Sequence, residues 1–207
     1  MTRIILASRA APWALLAVVV AAGVSAVYGL AAIVIDVSPV RPNKLPITEL
    51  CAVASATVLT LLTRPRLWEW ERVARTHRAR VVAALVCVAN IALPVACALP
   101  VVPRLPDGTA WAWVCANVVV IAAIVQLVAP LTGPLWAGLT GLVLWFVFGA
   151  LHNIAPAVGP YLPTSSSIDA DGRWTVALLL GFAAVLLHAK THGALAWTRA
   201  REDSFRA

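Results

Sequence analysis

Charge is scarce in this chain. Only 12% of its 207 residues are Asp, Glu, Lys or Arg, about half the fraction a soluble domain carries. A hydrated surface around one soluble core is therefore excluded. Lysine occurs twice, and neither Lys44 nor Lys190 follows a glycine. The phosphate-cradling G-x-x-x-x-G-K-[ST] loop is absent. So are G-x-S-x-G and H-E-x-x-H, and the four cysteines form no C-x-x-C. All nine acids read as lying outside the apolar blocks or at their edges, with Asp36 and Glu49 nearest to a block interior. A carrier driven by protons or sodium usually places an ionisable group inside the membrane. This acid distribution gives no support to ion coupling.

What is present is apolar sequence, 61% of the residues. It comes in blocks rather than in amphipathic alternation, the pattern of membrane spans. Six blocks can be drawn: Trp13–Ile35, Ile47–Leu62, Val81–Val102, Trp111–Ala129, Leu135–Leu151 and Trp174–Ala189. Most have the roughly 20 residues that cross a ~30 Å hydrocarbon layer. Ile47–Leu62 is the weakest and must borrow flanking residues or sit where the bilayer thins. The expected fold is all-α: one transmembrane domain over residues 1–207, with six helices. Trp13–Ile35 is too long for a signal-peptide core, and five blocks follow it, so it reads as a retained span.

Between the second and third blocks the chain reads RPRLWEWERVARTHRAR, Arg64 to Arg80, with six arginines and two glutamates. Such a segment stays out of the hydrocarbon and marks the cytosolic side. With the N-terminus inside, twelve basic residues fall on the cytosolic side and Arg41, Lys44, Arg104 and Arg173 on the other. Both termini are then cytosolic, in a plasma membrane whose anionic inner leaflet accounts for the +7 net charge. Nucleic acid is not the expected partner. Eight of nine tryptophans fall at block boundaries, as an aromatic belt requires; Trp145 alone lies mid-block.

The arginine segment is patterned as a short amphipathic helix. Thr63 can cap it, and Pro65 suits a first turn. Leu67, Trp70 and Ala74 share a face with His77. Glu69, Arg72 and Arg75 lie on the others, and Glu71 precedes Arg75 by four residues, the favourable order. It can float among headgroups or dock a cytosolic protein. Two acids within a basic run favour docking, because a lipid anchor gains nothing from them.

Other polar residues are few. Pro94 should kink the third span, with Asn90 repairing the carbonyl it frees. Asn117 and Gln126 lie inside the fourth span, two and a half turns apart, and should point into the bundle or across an interface. Asn90, Asn117 and Gln126 are the candidate lining of a substrate path. Pro130 and Pro134 bracket a tight turn. His188 and His192 stand four apart near the end of the sixth span, a spacing that could hold metal or haem. Lys190 between them would repel a cation, so interfacial histidines are the simpler reading. Small buried cysteines are expected; a disulfide among Cys51, Cys97 and Cys115 is the alternative in an oxidising exterior.

Six spans, both termini inside and WEWERVARTHR between spans two and three together resemble the permease subunits of bacterial ABC exporters that use a separate ATPase chain. The resemblance covers the whole chain as topology. It implies a dimer with a second copy or a paralogue, and export of a hydrophobic or amphipathic compound. It implies docking of the ATPase on Leu67, Trp68, Glu69, Trp70, Glu71, Arg72 and Arg75. It also implies ATP and Mg bound by the partner, with no cofactor or catalytic site on this chain. The interfacial N-terminal helix of that family would shrink here to Thr2–Pro12. Residues 154–173 correspond to the short external helical segments before span six. Two further classes stay open: a substrate-capturing subunit like those of energy-coupling-factor transporters, and a small membrane enzyme or haem protein using His188 and His192.

Overall fold

The computed structural model describes residues 10–35, 43–64, 77–105, 111–164 and 170–192. Six α-helices carry them: α1 Ala11–Tyr28, α2 Ile47–Leu62, α3 His77–Ala92, α4 Trp111–Thr132, α5 Pro134–Ile154 and α6 Ala170–Thr191. A two-stranded antiparallel hairpin, β1 Ala32–Ile35 with β2 Asn43–Pro46, joins α1 to α2. The expected amphipathic helix at Leu67–Arg75 lies outside the described residues.

Among the described residues, four apolar stretches are long enough to cross a membrane: Ala79–Arg104, Trp111–Thr132, Pro134–Ile154 and Trp174–Thr191. The apolar helices Pro12–Tyr28 and Ile47–Leu62 are shorter. Three boundaries differ from expectation. The first apolar block does not run helical to Ile35. Gly29 closes α1 by donating its N–H to the Ser25 carbonyl at 2.7 Å, and the β-branched Ile33-Val34-Ile35 then pairs as a strand. Glycine is required at that corner, because an added Cβ would stand 2.4 Å from Val101 Cγ2 and 2.7 Å from Thr48 Oγ1. In the third block, Pro94 ends the α-helix rather than bending it. The backbone tightens into a 3₁₀ turn over Leu93–Cys97, which needs no i−4 bond from proline. Pro130, expected to bracket a turn over residues 131–133, lies inside α4, which runs on to Thr132. The turn narrows to Gly133, whose φ of 95° suits glycine.

The helix α4 is the axis of the bundle. It packs on α2, α3, α5 and α6, and 72% of its apolar stretch is buried against 22–33% for the other three long ones. Alanines let its neighbours approach: Ala52, Ala56, Ala116, Ala122, Ala123, Ala137 and Ala184 are fully covered. Large apolar side chains cover the outside instead, among them Val19, Leu135, Leu178 and Phe182, each more than 60% exposed. An apolar exterior around a small-residue interior inverts the soluble pattern. It is what a bilayer solvates.

The chain alternates between two ends. One carries the β-hairpin and the starts of α2 and α4. The other carries the Gly133 turn and the ends of α2, α4 and α6.

Candidate functional site

Helix α2 organises the polar interior. On α2, Thr48, Glu49, Ser55 and Thr60 are all buried. Three hydroxyls along it use their single proton on the helix's own carbonyls: Ser55 donates to Ala52 at 3.0 Å, Thr60 to Ala56 at 2.6 Å and Thr63, just past its end, to Leu59 at 2.7 Å. The oxygens then remain as acceptors facing outward. Amide donors on other helices use them. Asn90 Nδ2 on α3 donates to Thr63 Oγ1 at 2.8 Å. Gln126 Nε2 on α4 donates to Thr60 Oγ1 at 2.5 Å. The polar residues of the short span Ile47–Leu62 thus form a stripe that meets its neighbouring helices.

Glu49 is the third residue of α2 and is 3% exposed. Asn117 Nδ2 on α4 donates to its Oε1 at 2.8 Å. Trp145 Nε1 on α5 donates to its Oε2 at 2.7 Å. Each carboxyl oxygen receives an N–H, the short geometry of a charge-assisted bond. Leu45, Val53 and Ile121 pack with Trp145 around this point. The depth follows from chain position. Asn117 is six residues from the start of α4, about 9 Å, and Trp145 is nine residues from the end of α5, about 13 Å. The sequence reading of Glu49 as a boundary acid is therefore corrected. Being near a helix start does not keep it at a surface, because α4 and α5 rise past it.

Of the candidate path residues, Asn117 and Gln126 both reach α2, at sites three turns apart, and Asn90 reaches it from α3. Each makes its own interhelical bond. Asn90 was expected to repair the Pro94 kink, but its amide crosses to Thr63. Proline-freed carbonyls are met elsewhere by side chains. Pro130 has no N–H for the Gln126 carbonyl, and His188 Nε2 lies 2.9 Å from that oxygen, so this nitrogen carries the proton. Pro100 offers none to the Cys97 carbonyl, and Ser25 Oγ donates there at 2.6 Å. His188 thus acts as a helix–helix donor. His192 follows the last turn at φ 56°. No group of three or more His, Cys, Asp or Glu that could hold a metal occurs among the described residues. All four cysteines are buried and free.

Sequence reasoning missed the Glu49–Asn117–Trp145 cluster and the Gln126–Thr60 bond. The available signal was Trp145 itself, since a mid-span indole N–H requires an acceptor. The docking residues Leu67, Trp68, Glu69, Trp70, Glu71, Arg72 and Arg75 lie outside the described residues. A separate apolar groove of about 540 Å³ runs between α1 and α2, past Trp13, Leu16, Val20, Cys51 and Val58.

No family model, curated protein or solved structure matches this chain.

Proposed function

We propose that this chain is the six-span permease subunit of an ABC-type exporter in the plasma membrane, with both termini cytosolic and a separate ATPase supplying ATP hydrolysis. One observation carries the reading. Asn90 meets Thr63 at the end of α2, yet α3 begins at His77, thirteen residues earlier. Along its own axis α3 therefore continues about 20 Å beyond that meeting point. Arg64, where the connection to α3 begins, follows the end of α2, and the arginine-rich segment with two tryptophans that starts there is the part we assign to a cytosolic partner. The apolar groove between α1 and α2 suits a hydrophobic or amphipathic substrate.

The experiment is a pull-down of a co-expressed ATPase. Truncating a buried tryptophan at such an interface costs about 2 kcal/mol or more. Trp70→Ala should lose the ATPase while inserting normally, and Trp68→Ala should retain it. Undiminished recovery with both variants leaves only a segment that floats on lipid. Sidedness is tested by impermeant thiol labelling of cysteines placed at Thr76 and Ser166 in intact cells. Labelling at Thr76 with Ser166 protected would invert the topology.

Glu49 favours a second reading. The lack of an acid in the spans argued against ion coupling, and Glu49 removes that argument. Under this reading the purified chain alone in liposomes moves substrate along an imposed proton gradient. The permease reading expects no such transport without the ATPase.

A further inference from the structure

We propose that Glu49 is a proton-binding site within the helix core, and that the Asn117 amide is the group that adapts to its protonation state. The proposal stands on the geometry of the cluster and holds whichever energy source drives the protein.

Asn117 and Trp145, two groups that hold the carboxyl, differ in kind. The Trp145 indole can only donate. The oxygen it holds at 2.7 Å, Oε2, must therefore remain an acceptor whether Glu49 is charged or neutral. Oε1, whose Asn117 partner can also accept, is the oxygen suited to carry a proton. The group facing Oε1 is a primary amide, which carries a donor and an acceptor on one pivot. With Glu49 ionised, Asn117 Nδ2 donates to Oε1 at 2.8 Å. Its Oδ1 is then buried with no hydrogen-bond partner among the described residues, although Asn117 is 2% exposed. An orphaned amide oxygen in a dry core is costly. A half-turn of the amide brings Oδ1 to Oε1, where it accepts the new O–H. One hydrogen bond to Oε1 exists before and after. The step is H⁺ plus carboxylate giving carboxylic acid; no other covalent bond changes, and the Asn117–Oε1 hydrogen bond exchanges donor and acceptor.

A purely structural glutamate would not need a partner of this type. The ionisable residues on the surrounding elements are Cys51 on α2, Cys115 on α4, His152 on α5 about two turns nearer the hairpin than Trp145, and Lys44 in β2 beside Leu45. The short route for a proton runs from the hairpin end, since Glu49 lies within the first turn of α2.

The test is infrared spectroscopy of the purified full chain in lipid nanodiscs across a pH series, with helical circular dichroism recorded in parallel. A carboxylic-acid C=O band should grow as pH falls and should be lost in Glu49→Gln. Because an N–H bond to the carbonyl oxygen lowers its stretching frequency, Trp145→Phe should move that band upward. Asn117→Leu, which removes the adapting acceptor, should displace the pH midpoint. The proposal is overturned if no band responds to Glu49→Gln while the helices persist, or if the band keeps constant intensity throughout. Should Glu49→Gln not fold, Trp145→Phe carries the assignment: a titrating band that it leaves unmoved belongs to another acid and sinks the idea.

Discussion

Two polar clusters bind α2 to α4, and they were made by different means. Near the hairpin, Glu49 brings a buried charge that Asn117 and Trp145 hold by side-chain N–H donors. Near the Gly133 turn there is no charge among the bonded groups. There Pro130 strips a backbone carbonyl of its helical partner, His188 replaces it, and the Gln126 side chain separately reaches Thr60. The first cluster joins α2, α4 and α5; the second joins α2, α4 and α6. One is built around a group that can change its charge, the other around a backbone defect that needs permanent repair. Only the first has the makings of a moving part.

The largest effects are expected where a charge loses its donor. Bonds to charged groups contribute about 1.5–3 kcal/mol each. Asn117→Leu should lower stability by about 2–3 kcal/mol in mixed-micelle unfolding at neutral pH. Trp145→Phe should cost a similar amount through its lost N–H. Adding Glu49→Gln to Asn117→Leu should recover much of the loss, since no charge is then left underserved. If the double variant is instead less stable by the sum of the two single losses, the charge is not what those donors serve.

Glycine contacts sharpen the contrast between the ends. At Gly138, near the Gly133 turn, an added Cβ would stand 2.4 Å from both Thr57 Oγ1 and Cγ2. Thr57 is β-branched, and its hydroxyl is tied to the Val53 carbonyl at 2.7 Å, so it cannot yield by rotating. At Gly149, near the hairpin, the Cβ would meet the Cδ atoms of Leu45 at 2.6 and 2.9 Å, the mobile tip of a longer side chain. Gly138→Ala should cost about 1–3 kcal/mol by overpacking, and Gly149→Ala less. Unfolding of the two variants side by side gives the order; a reversed order would mean that α5 shifts more easily at the Gly133 turn than at the hairpin.

Much of the helical layout was legible because it rests on run length and apolar content, which are local. All six blocks contain a helix at the positions where apolar sequence and proline or glycine punctuation put one. The strand at Ala32–Ile35 was not legible, because Ile-Val-Ile continues an apolar block and only its pairing with Asn43–Pro46 distinguishes it. The candidate residues fared in the same way. Asn117 and Gln126 stood out as polar groups within apolar sequence, but their partners on α2 depend on how two helices more than fifty residues apart are set side by side. Glu49 was hidden by its address at the head of a helix. Burial there is a property of neighbouring helices, and no pattern within Ile47–Leu62 reports it. Trp145 carried the missing information, since an indole in mid-span implies an acceptor somewhere at its level.

The smallest effect tests the repair itself. Interhelical hydrogen bonds in membrane proteins average about 0.6 kcal/mol and reach about 1.7, so His188→Leu should destabilise by roughly 1 kcal/mol. The cause can be isolated, because the defect and its repair are separate residues. Pro130→Ala restores an N–H four residues after Gln126, and α4 can then close its own bond to that carbonyl. In the Pro130→Ala background, His188→Leu should cost almost nothing. A double-mutant cycle on the purified protein measures this coupling directly. A loss of the same size in both backgrounds would show that His188 serves something other than the carbonyl it faces. Its place four residues before His192 would then be the next feature to explain. A loss confined to the Pro130 background makes the histidine a consequence of the proline. In that case the H-A-K-T-H spacing has no ligand to account for, and the titrating chemistry of this bundle belongs to the hairpin end.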